Sequence, residues 1–213
     1  MRVAELFQSI QGESTAAGRR CAFVRLAGCN LRCRWCDTAW AQSDDGAEEL
    51  SIDDIVERLA AFDCTLVEVT GGEPLLQGDT PLLIERLIGA GHEVLVESNG
   101  SVDIGALPEG CRCILDMKAP SSGMTNRMDM GNLDRLRDGD EVKIVIADDA
   151  DFRWAADLVS RYDLAVRHTV IVQPVHGAMS LRELAERIVK QKLNLRLGVQ
   201  LHKLIWPDRD RGV

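Results

Sequence analysis

Three cysteines lie within eight residues of one another in the stretch GCNLRCRWCDT, residues 28–38. Cys29, Cys33 and Cys36 have C-x3-C-x2-C spacing, and the chain contains seven cysteines in all. Thiolates this close together are typical metal ligands, but tetrahedral zinc sites and fully ligated iron–sulfur clusters take four protein ligands. The spacing therefore predicts a metal site in which something other than a fourth nearby cysteine fills the last position.

Two metal sites are compatible with this triad. A zinc site needs a fourth Cys or His, and the remaining candidates are either in predicted strands or scattered along the chain: Cys21, Cys64, Cys111, Cys113, His92, His168, His176 and His202. The alternative is a 4Fe–4S cluster with three protein ligands and one open iron. An open coordination position admits a reactant, as it does in catalytic zinc sites.

A second chemical signal is the stretch TGGEP, residues 70–74. Paired glycines let backbone groups approach a ligand closely, because no side chain stands in the way. An ordinary turn from strand to helix would also explain two glycines.

The elements that position these residues are short β-branched runs, mostly separated by helical segments. Candidate strands cover residues 21–28, 65–71, 93–100, 113–118, 141–147 and 169–175. Near-continuous apolar runs predict strands that are covered on both faces, as in parallel sheets. The alternation predicts an α/β fold with a parallel sheet, open or closed into part of a barrel, with the cysteines beyond the carboxyl end of a strand.

Three helix starts are readable. Ser51 with Asp54 and Ser180 with Glu183 form capping-box patterns, and Thr80 followed by Pro81 indicates an N-cap and first helical position. Residues 119–140 interrupt the alternation of strands and helices, since they contain Pro, Ser, Gly and Asn where a crossover helix is expected. Only NLDRLRD, residues 132–138, is expected to be briefly helical there.

Composition narrows the function classes. The 213 residues fit one domain, and 46% apolar and 28% charged residues are ordinary for a globular enzyme. A net charge of −9 argues against nucleic acid and anionic membrane surfaces as partners. There is no apolar signal segment and no run long enough for a membrane helix, and the clustered thiols suit a reducing cytoplasm.

The cysteine spacing, with Trp35 before the last cysteine, and the GGEP stretch together resemble the radical S-adenosylmethionine (SAM) superfamily. In that superfamily the amine and carboxylate of SAM chelate the fourth iron. More narrowly, the chain resembles the 7-carboxy-7-deazaguanine synthase family. The matching stretches run along the whole chain: ELFQSIQGES (5–14), CAFVRLAGCNLRCRWCDT (21–38), VESNG (96–100), KAPSS (118–122), QP (173–174) and LHKLIWPDRDRGV (201–213).

This resemblance implies a single radical SAM core domain, residues 1–213, folded as an abbreviated, partial (β/α)6 TIM-like barrel with parallel strands. It also implies three cofactors: a 4Fe–4S cluster on Cys29, Cys33 and Cys36, SAM, and Mg²⁺ on Thr38. A hydrogen-bonding loop cap is the alternative role for Thr38. The SAM-binding positions carried over from the family are Trp35, Cys36, Asp37, Gly72, Asp116, Met117, Lys118, Gln173, Pro174, Val175 and His176. The family more often has Ser-Pro at positions 116 and 117, so the resemblance is weaker there.

The implied substrate is 6-carboxy-5,6,7,8-tetrahydropterin, which the family converts to 7-carboxy-7-deazaguanine by a radical ring contraction with loss of ammonia. A hydrogen abstracted from C6 is returned at the end, so SAM acts as a cofactor. Arg25 would pair with the substrate carboxylate through its planar fork; an ordinary surface ion pair with Glu13 is the alternative. The implied substrate positions are Ile10, Gln11, Gly12, Glu13, Arg25, Thr70, Glu97, Asn99, His202 and the terminal carboxylate of Val213. Whether Glu97 and Asn99 contact substrate or SAM is open.

The family also implies an external one-electron donor of the flavodoxin or ferredoxin type, a homodimer and a cytoplasmic location. Two other functions remain open from the residues alone. One is a radical SAM enzyme that acts on a protein, such as a glycyl-radical activase. The other is a non-catalytic iron–sulfur or zinc module.

Overall fold

One nine-stranded sheet organises the chain in the computed structural model, which describes residues 1–213. The strands are β1 (Arg2–Ile10), β2 (Arg20–Leu26), β3 (Glu48–Glu49), β4 (Leu66–Gly71), β5 (Glu93–Ser98), β6 (Cys111–Met117), β7 (Glu141–Ile146), β8 (Thr169–Pro174) and β9 (Leu195–Leu197). Their order in the sheet is β3-β1-β2-β4-β5-β6-β7-β8-β9. The run from β2 to β9 is parallel, and β1 pairs antiparallel with β2 and β3.

All six predicted strands are confirmed as β2 and β4 to β8. β1, β3 and β9 were not predicted, and with β9 the parallel part has seven strands rather than six. β3 and β9 are two and three residues long, too short for a periodic pattern. In β1 the polar residues Arg2, Glu5, Gln8 and Ser9 interrupt the apolar alternation.

The helices are α1 (Ile52–Ala60), α2 (Thr80–Gly89), α3 (Asn132–Arg135), α4 (Asp149–Arg161), α5 (Leu164–Arg167), α6 (Leu181–Lys190) and α7 (Leu201–Ile205). Both capping boxes, at Ser51 and Ser180, are confirmed. The expectation for Thr80 was wrong, because Asp79 occupies the N-cap and Thr80 is the first helical residue. The Thr80 hydroxyl instead donates to the Pro74 carbonyl at 2.6 Å and so ties α2 to the turn after β4.

Residues 119–140 hold no full crossover helix, as predicted. They form two 3-10 turns, Pro120–Ser122 and Thr125–Arg127, and the single-turn α3. Further 3-10 turns cover Ala39–Ala41, Pro74–Leu76 and Ile104–Ala106.

The two faces of the sheet differ in chemistry. Outward side chains such as Val67, Val69, Val142 and Ile144 join a core of 37 buried residues with the helices. The inner face is apolar only at its deep end, where seven buried residues cluster: Phe7, Ala16, Cys21, Phe23, Leu66, Leu95 and Ile114. Towards the carboxyl ends of the strands the inner face is polar. The strands are therefore buried on both faces, as predicted, but only one face is apolar throughout.

The sheet curls into a partial barrel around this polar interior. Lys143 of β7 reaches Glu97 of β5 across the intervening β6, at 2.6 Å between Nζ and Oε1. The loop after β1 folds across the open side, since Glu13 bonds Lys143 of β7 and Gln173 of β8. No helix is long and apolar enough to cross a membrane.

Candidate active site

A cavity of about 400 Å³ opens at the carboxyl ends of the parallel strands, and all three clustered cysteines line it. We call it the larger cavity. The loop that carries the three cysteines follows β2 and is held in place by three contacts. The Cys29 amide donates to the Gln42 carbonyl at 3.1 Å, and the Arg34 amide donates to the Ser122 carbonyl at 3.2 Å. The Asn99 amide group lies 3.6 Å from the Cys29 sulfur.

The arrangement of the thiols bears on the choice between zinc and a cluster. No three His, Cys, Asp or Glu side chains are placed to hold one metal ion together. Cys21, Cys64, Cys111 and Cys113 are buried and do not line the larger cavity. A zinc ion needs all its ligands within about 2.3 Å of one point, whereas each cysteine of a 4Fe–4S cluster binds a different iron. The geometry favours the cluster.

The GGEP turn brings backbone to the cavity wall. A Cβ atom on Gly72 would lie 2.1 Å from the Gly28 carbonyl oxygen, so no larger residue fits there. Glu73 is fully buried behind the turn and accepts hydrogen bonds from the amides of Leu75 and Asn99, at 3.0 and 2.6 Å. Burial raises the pKa of Glu73 to about 7, against the lowering effect of these donors.

The predicted SAM-binding residues line the larger cavity with two exceptions. Asp116 and Lys118 point inward from the end of β6 and pair at 2.8 Å. Met117, between them, points the opposite way into the outer core and is fully buried there. Pro174 likewise does not line the cavity, although Gln173, Val175 and His176 do. Only the main chain of Met117 and Pro174 remains available to a ligand, because side chains alternate along a strand.

Lys143 is the residue that the sequence analysis missed most clearly. Its ammonium lies 2.7 Å from Glu13, 2.6 Å from Glu97 and 3.3 Å from Asp116, and only 3% of the residue is exposed. We call these four residues the Lys143 cluster. Burial opposes the charge, but the three carboxylates hold the pKa of Lys143 well above its usual value. The same ammonium outweighs burial and lowers the pKa of Glu13, and with Lys118 it lowers that of Asp116.

A smaller cavity of about 120 Å³ adjoins the first one. It lies between the loop after β1, the end of β4 and the C-terminal segment. Gly12 permits this packing, because a Cβ there would approach His202 Nδ1 to 2.9 Å. The smaller cavity is lined by these predicted substrate residues: Ile10, Gln11, Gly12, Glu13, Arg25, Thr70, Glu97, His202 and Val213. Asn99 lines only the larger cavity, whereas Glu97 lies on the wall that both share.

Arg25 is half-enclosed by aromatic rings. Its guanidinium carbon lies 5.4 Å from the centre of the Phe7 ring and 5.7 Å from that of Trp40. Its nearest carboxylate is Glu5, at 3.7 Å, and neither Arg25 Nε nor Glu5 Oε2 has a hydrogen-bond partner. The alternative of a surface ion pair between Arg25 and Glu13 is wrong, because Glu13 pairs with Lys143.

Asp37 and Thr38 lie on the wall between the two cavities. Burial acts to raise the pKa of Asp37, but the nearby His202 ring and Lys203 ammonium, 3.8 and 3.9 Å from its carboxylate, outweigh burial and bring the pKa below its usual range. Thr38 precedes a 3-10 turn, but its side chain makes no capping hydrogen bond. The alternative role of a loop cap is therefore not supported, and the Thr38 hydroxyl instead lies 3.8 Å from the Cys36 sulfur.

Other residues on these walls also escaped the sequence analysis: Glu68, Lys143, Gln200 and Lys203. Glu68 had a usable signal, a lone charge in an otherwise apolar strand, and Lys143 had a weaker one, because Glu141 also lies in its strand. Gln200 and Lys203 had none, because only the tertiary fold brings α7 back to the cavity, where Gln200 donates to Glu13 at 3.1 Å.

Comparison with known proteins gives a consistent result. The radical SAM superfamily matches residues 24–115. A protein of Chlorobaculum tepidum named 7-carboxy-7-deazaguanine synthase is 41% identical, over 100% of this chain and 97% of that protein. Proteins with the same name from Koribacter versatilis and Thermoplasma acidophilum are 37% and 38% identical, over 100% of both chains and 98% of both chains, respectively.

A solved structure has the same fold. The crystal structure of QueE from Escherichia coli matches with a TM-score of 0.78 at 22% identity, over 93% of each chain. The likeness extends over nearly the whole of both chains, so the predicted fold class is confirmed.

Proposed function

The chain belongs to the 7-carboxy-7-deazaguanine synthase family of radical SAM enzymes, and we propose that it converts 6-carboxy-5,6,7,8-tetrahydropterin to 7-carboxy-7-deazaguanine with loss of ammonia. This reaction would serve queuosine and other 7-deazapurine biosynthesis. The observation that carries the proposal is the pair of adjoining cavities. One holds the cysteine triad, the other holds polar groups suited to a flat ring, and Glu13, Thr38, Thr70 and Glu97 line both.

The larger cavity fits a 4Fe–4S cluster with SAM on its open iron. Three half-buried thiols line it, and Gly72 lines it without a side chain. Asp116 Oδ1 and Gln173 Oε1 are buried acceptors without a partner on the wall of this cavity, and the hydroxyl and amino groups of SAM are donors of the kind they lack. When bound, this pair supplies one-electron cleavage of SAM and a carbon radical that removes hydrogen from C6 of the substrate.

The chain's own residues bind and orient the substrate. Arg25 lines the smaller cavity and offers its guanidinium to the substrate carboxylate, and the Phe7 and Trp40 rings lie beside the guanidinium. Glu13 stays ionised beside Lys143 and accepts hydrogen bonds from donor groups of the ring. The C-terminal segment lines the smaller cavity as far as Val213, whose terminal carboxylate would bind the substrate. Enclosure keeps water away from reactive groups and strengthens each of these interactions.

We propose Mg²⁺ as a further cofactor, with the Thr38 hydroxyl as its protein ligand and the substrate carboxylate completing the oxygen shell. Thr38 lies where the two cavities meet, and its hydroxyl has no capping partner. Thr38→Ala should weaken the dependence of turnover on Mg²⁺ concentration several-fold and leave the visible absorption of the cluster intact. A Mg²⁺ titration that matches the wild-type curve would remove Thr38 from the metal site.

We also propose an external one-electron donor of the flavodoxin or ferredoxin type, a homodimer and a cytoplasmic location, on the strength of the family. Light scattering of the reconstituted protein tests the dimer: a mass of twice 23.5 kDa is expected.

Anaerobic turnover tests the proposed function. The reconstituted, reduced protein is given SAM, Mg²⁺ and 6-carboxytetrahydropterin, and the product is identified by mass. Formation of 7-carboxy-7-deazaguanine without stoichiometric loss of SAM is expected. If SAM is cleaved to 5′-deoxyadenosine and no deazaguanine forms, the radical chemistry stands and the substrate is different. If neither occurs and the cysteines bind zinc, the alternative of a metal module is supported.

A further inference from the structure

Glu68 is a buried acid on the wall of the smaller cavity, and one of its carboxyl oxygens has no hydrogen-bond partner. It lies on the inner face of β4, two residues before Thr70, and only 3% of it is exposed. Its Oε2 accepts from the Gln11 side-chain amide at 2.5 Å. Its Oε1 has no hydrogen-bond partner in the chain, yet it is not sealed from the cavity, since it is absent from the fully enclosed unpartnered atoms.

No cation in the chain neutralises Glu68. The neighbouring charged groups are Glu13 from the loop after β1, Glu97 from β5 and Lys143 from β7. The Lys143 ammonium is already directed at Glu13, Glu97 and Asp116. Burial, with the Glu97 charge adding to it, raises the pKa of Glu68 to about 8. A carboxyl buried without a counter-ion costs stability, and a site that keeps one on a cavity wall has a use for it when a ligand is bound.

The register of the sheet fixes where Glu68 lies relative to Arg25. Arg25 of β2 is paired with Thr70, and Phe23 is paired with Glu68. Glu68 is therefore two residues deeper along the strand direction, roughly 6–7 Å further into the barrel. Arg25 therefore lies nearer the carboxyl ends of the strands than Glu68, and both residues line the smaller cavity. A pterin with a 6-carboxylate has the same polarity, because its carboxylate and its 2-amino-pyrimidine edge are at opposite ends of the bicycle.

We propose that Glu68 is a specificity-determining residue that accepts a hydrogen bond from the 2-amino edge of the pyrimidine ring, with Gln11 holding the carboxyl in position. The inference rests on the proposed function, since it takes a carboxypterin as the ligand. A carboxylate has about four acceptor sites on its two oxygens, so Glu68 can serve Gln11 and the ring together. A site built to bind an amino group rejects the analogue that lacks it, because a buried acceptor is then left unpaired.

The assignment also predicts the pH dependence of binding. The free protein holds a proton on Glu68 below about pH 8, and a ligand amino group bonds more strongly to the ionised form. Binding therefore releases this proton, and affinity should rise with pH up to about 8 and then level off. A residue that merely supports the fold would give no such slope.

Calorimetric titration of the anaerobic, SAM-loaded holoenzyme tests the proposal with two ligands, 6-carboxypterin and its analogue without the 2-amino group. Wild type should bind the amino ligand roughly ten- to a hundredfold more tightly, with affinity rising between pH 6.5 and 8. Glu68→Leu should lose this preference while binding the analogue as wild type does. Glu68→Gln, which keeps an acceptor oxygen, should retain part of the preference and lose the pH slope. Glu93→Gln, a change in a half-exposed glutamate that lines neither cavity, is the matched control and should leave both properties unchanged.

Three results would overturn the assignment. Equal weakening of both ligands by Glu68→Leu would mean that the residue only supports the fold. Equal affinity of wild type for both ligands would mean that the protein does not recognise the 2-amino group. Failure of wild type to bind either ligand would reject the carboxypterin itself, and the proposed function with it, which the first two results would not.

Discussion

The two faces of the curled sheet are equally buried but are built for different purposes. Along β4, Val67 and Val69 point outward into the helical layer, while Glu68 and Thr70 point inward to the cavities. β7 repeats the pattern, with Val142 and Ile144 outward and Lys143 inward. Each outward apolar side chain contributes about 1.5–3 kcal/mol of burial free energy. The inward charged side chains instead hold binding groups at the cavity walls, and their desolvation lowers the stability of the fold.

Because side chains alternate between the two faces along a strand, this difference predicts whether a substitution will affect stability or function. A change on the outer face should alter the free energy of unfolding and leave ligand affinity alone. A change on the inner face should alter binding or turnover first. Paired substitutions at adjacent residues, one on each face, test this rule directly.

The largest effect is expected at the cysteines. Cys33→Ala should abolish cluster assembly, SAM cleavage and turnover, since it removes one of only three protein ligands. Cys113→Ala, in the outer core, should keep the cluster and cost at most about 2 kcal/mol of unfolding free energy. Visible absorption, iron content and activity of the two reconstituted variants check this. Normal iron content in Cys33→Ala would contradict the cluster assignment.

The next largest effect is expected in the Lys143 cluster. Lys143→Met leaves three buried carboxylates without their shared cation, so about 3–5 kcal/mol of unfolding free energy should be lost at pH 7 together with substrate binding. Ile144→Val, one residue later on the outer face, should cost only about 0.5–1.5 kcal/mol. Denaturant unfolding of both variants measures the difference. The loss in Lys143→Met should shrink as the pH falls, because the carboxylates then take up protons; equal costs in the two variants would break the comparison.

Much of this architecture could be predicted from local sequence. The β-branched runs predict six of the seven parallel strands, and the capping boxes at Ser51 and Ser180 fix two helix starts, because these signals depend on neighbouring residues only. The abbreviated segment 119–140 could be predicted for the same reason. The cysteine spacing and the GGEP turn mark the larger cavity, since each is a contiguous motif.

The rest depends on contacts between residues far apart in the chain. Lys143 meets Glu13 across 130 positions, and Gln200 meets the same glutamate across 187. A single charge in an apolar strand has no partner that the sequence identifies, so the inner face could not be assembled in advance. The side-chain direction of Met117 could have been predicted from the sequence. Side chains alternate along a strand, so Met117 lies on the face opposite to Asp116 and Lys118.

The pH dependence of stability should also separate the faces. The folded protein keeps protons on Glu68 and Glu73 up to pH about 8 and about 7, whereas the unfolded chain loses them near pH 4.3. For each group the free energy of unfolding falls by about 1.4 kcal/mol per pH unit between the unfolded and the folded pKa, and it levels off above the folded value. The free energy of unfolding of the cluster-free protein should therefore fall by about 3 kcal/mol between pH 6 and 7.5.

Urea unfolding at the two pH values measures this fall. Glu68→Gln should remove the larger part of it, because its side chain does not titrate. Val69→Ala, on the outer face, should lower stability equally at both pH values. A slope that persists unchanged in Glu68→Gln would place the titration elsewhere.

The smallest effect is the sharpest test of the comparison, because it uses two adjacent residues of one strand. Asp116→Asn should weaken SAM binding several-fold, since it removes a charge that pairs with Lys118 and Lys143 on the wall of the larger cavity. Met117→Leu should change the free energy of unfolding by less than about 1.5 kcal/mol and leave SAM affinity within error of wild type. Equilibrium binding of SAM to the reconstituted variants measures both. A loss of SAM affinity in Met117→Leu as large as that in Asp116→Asn would mean that packing on the outer face affects SAM binding. The face on which a residue lies would then no longer predict whether its substitution affects stability or function.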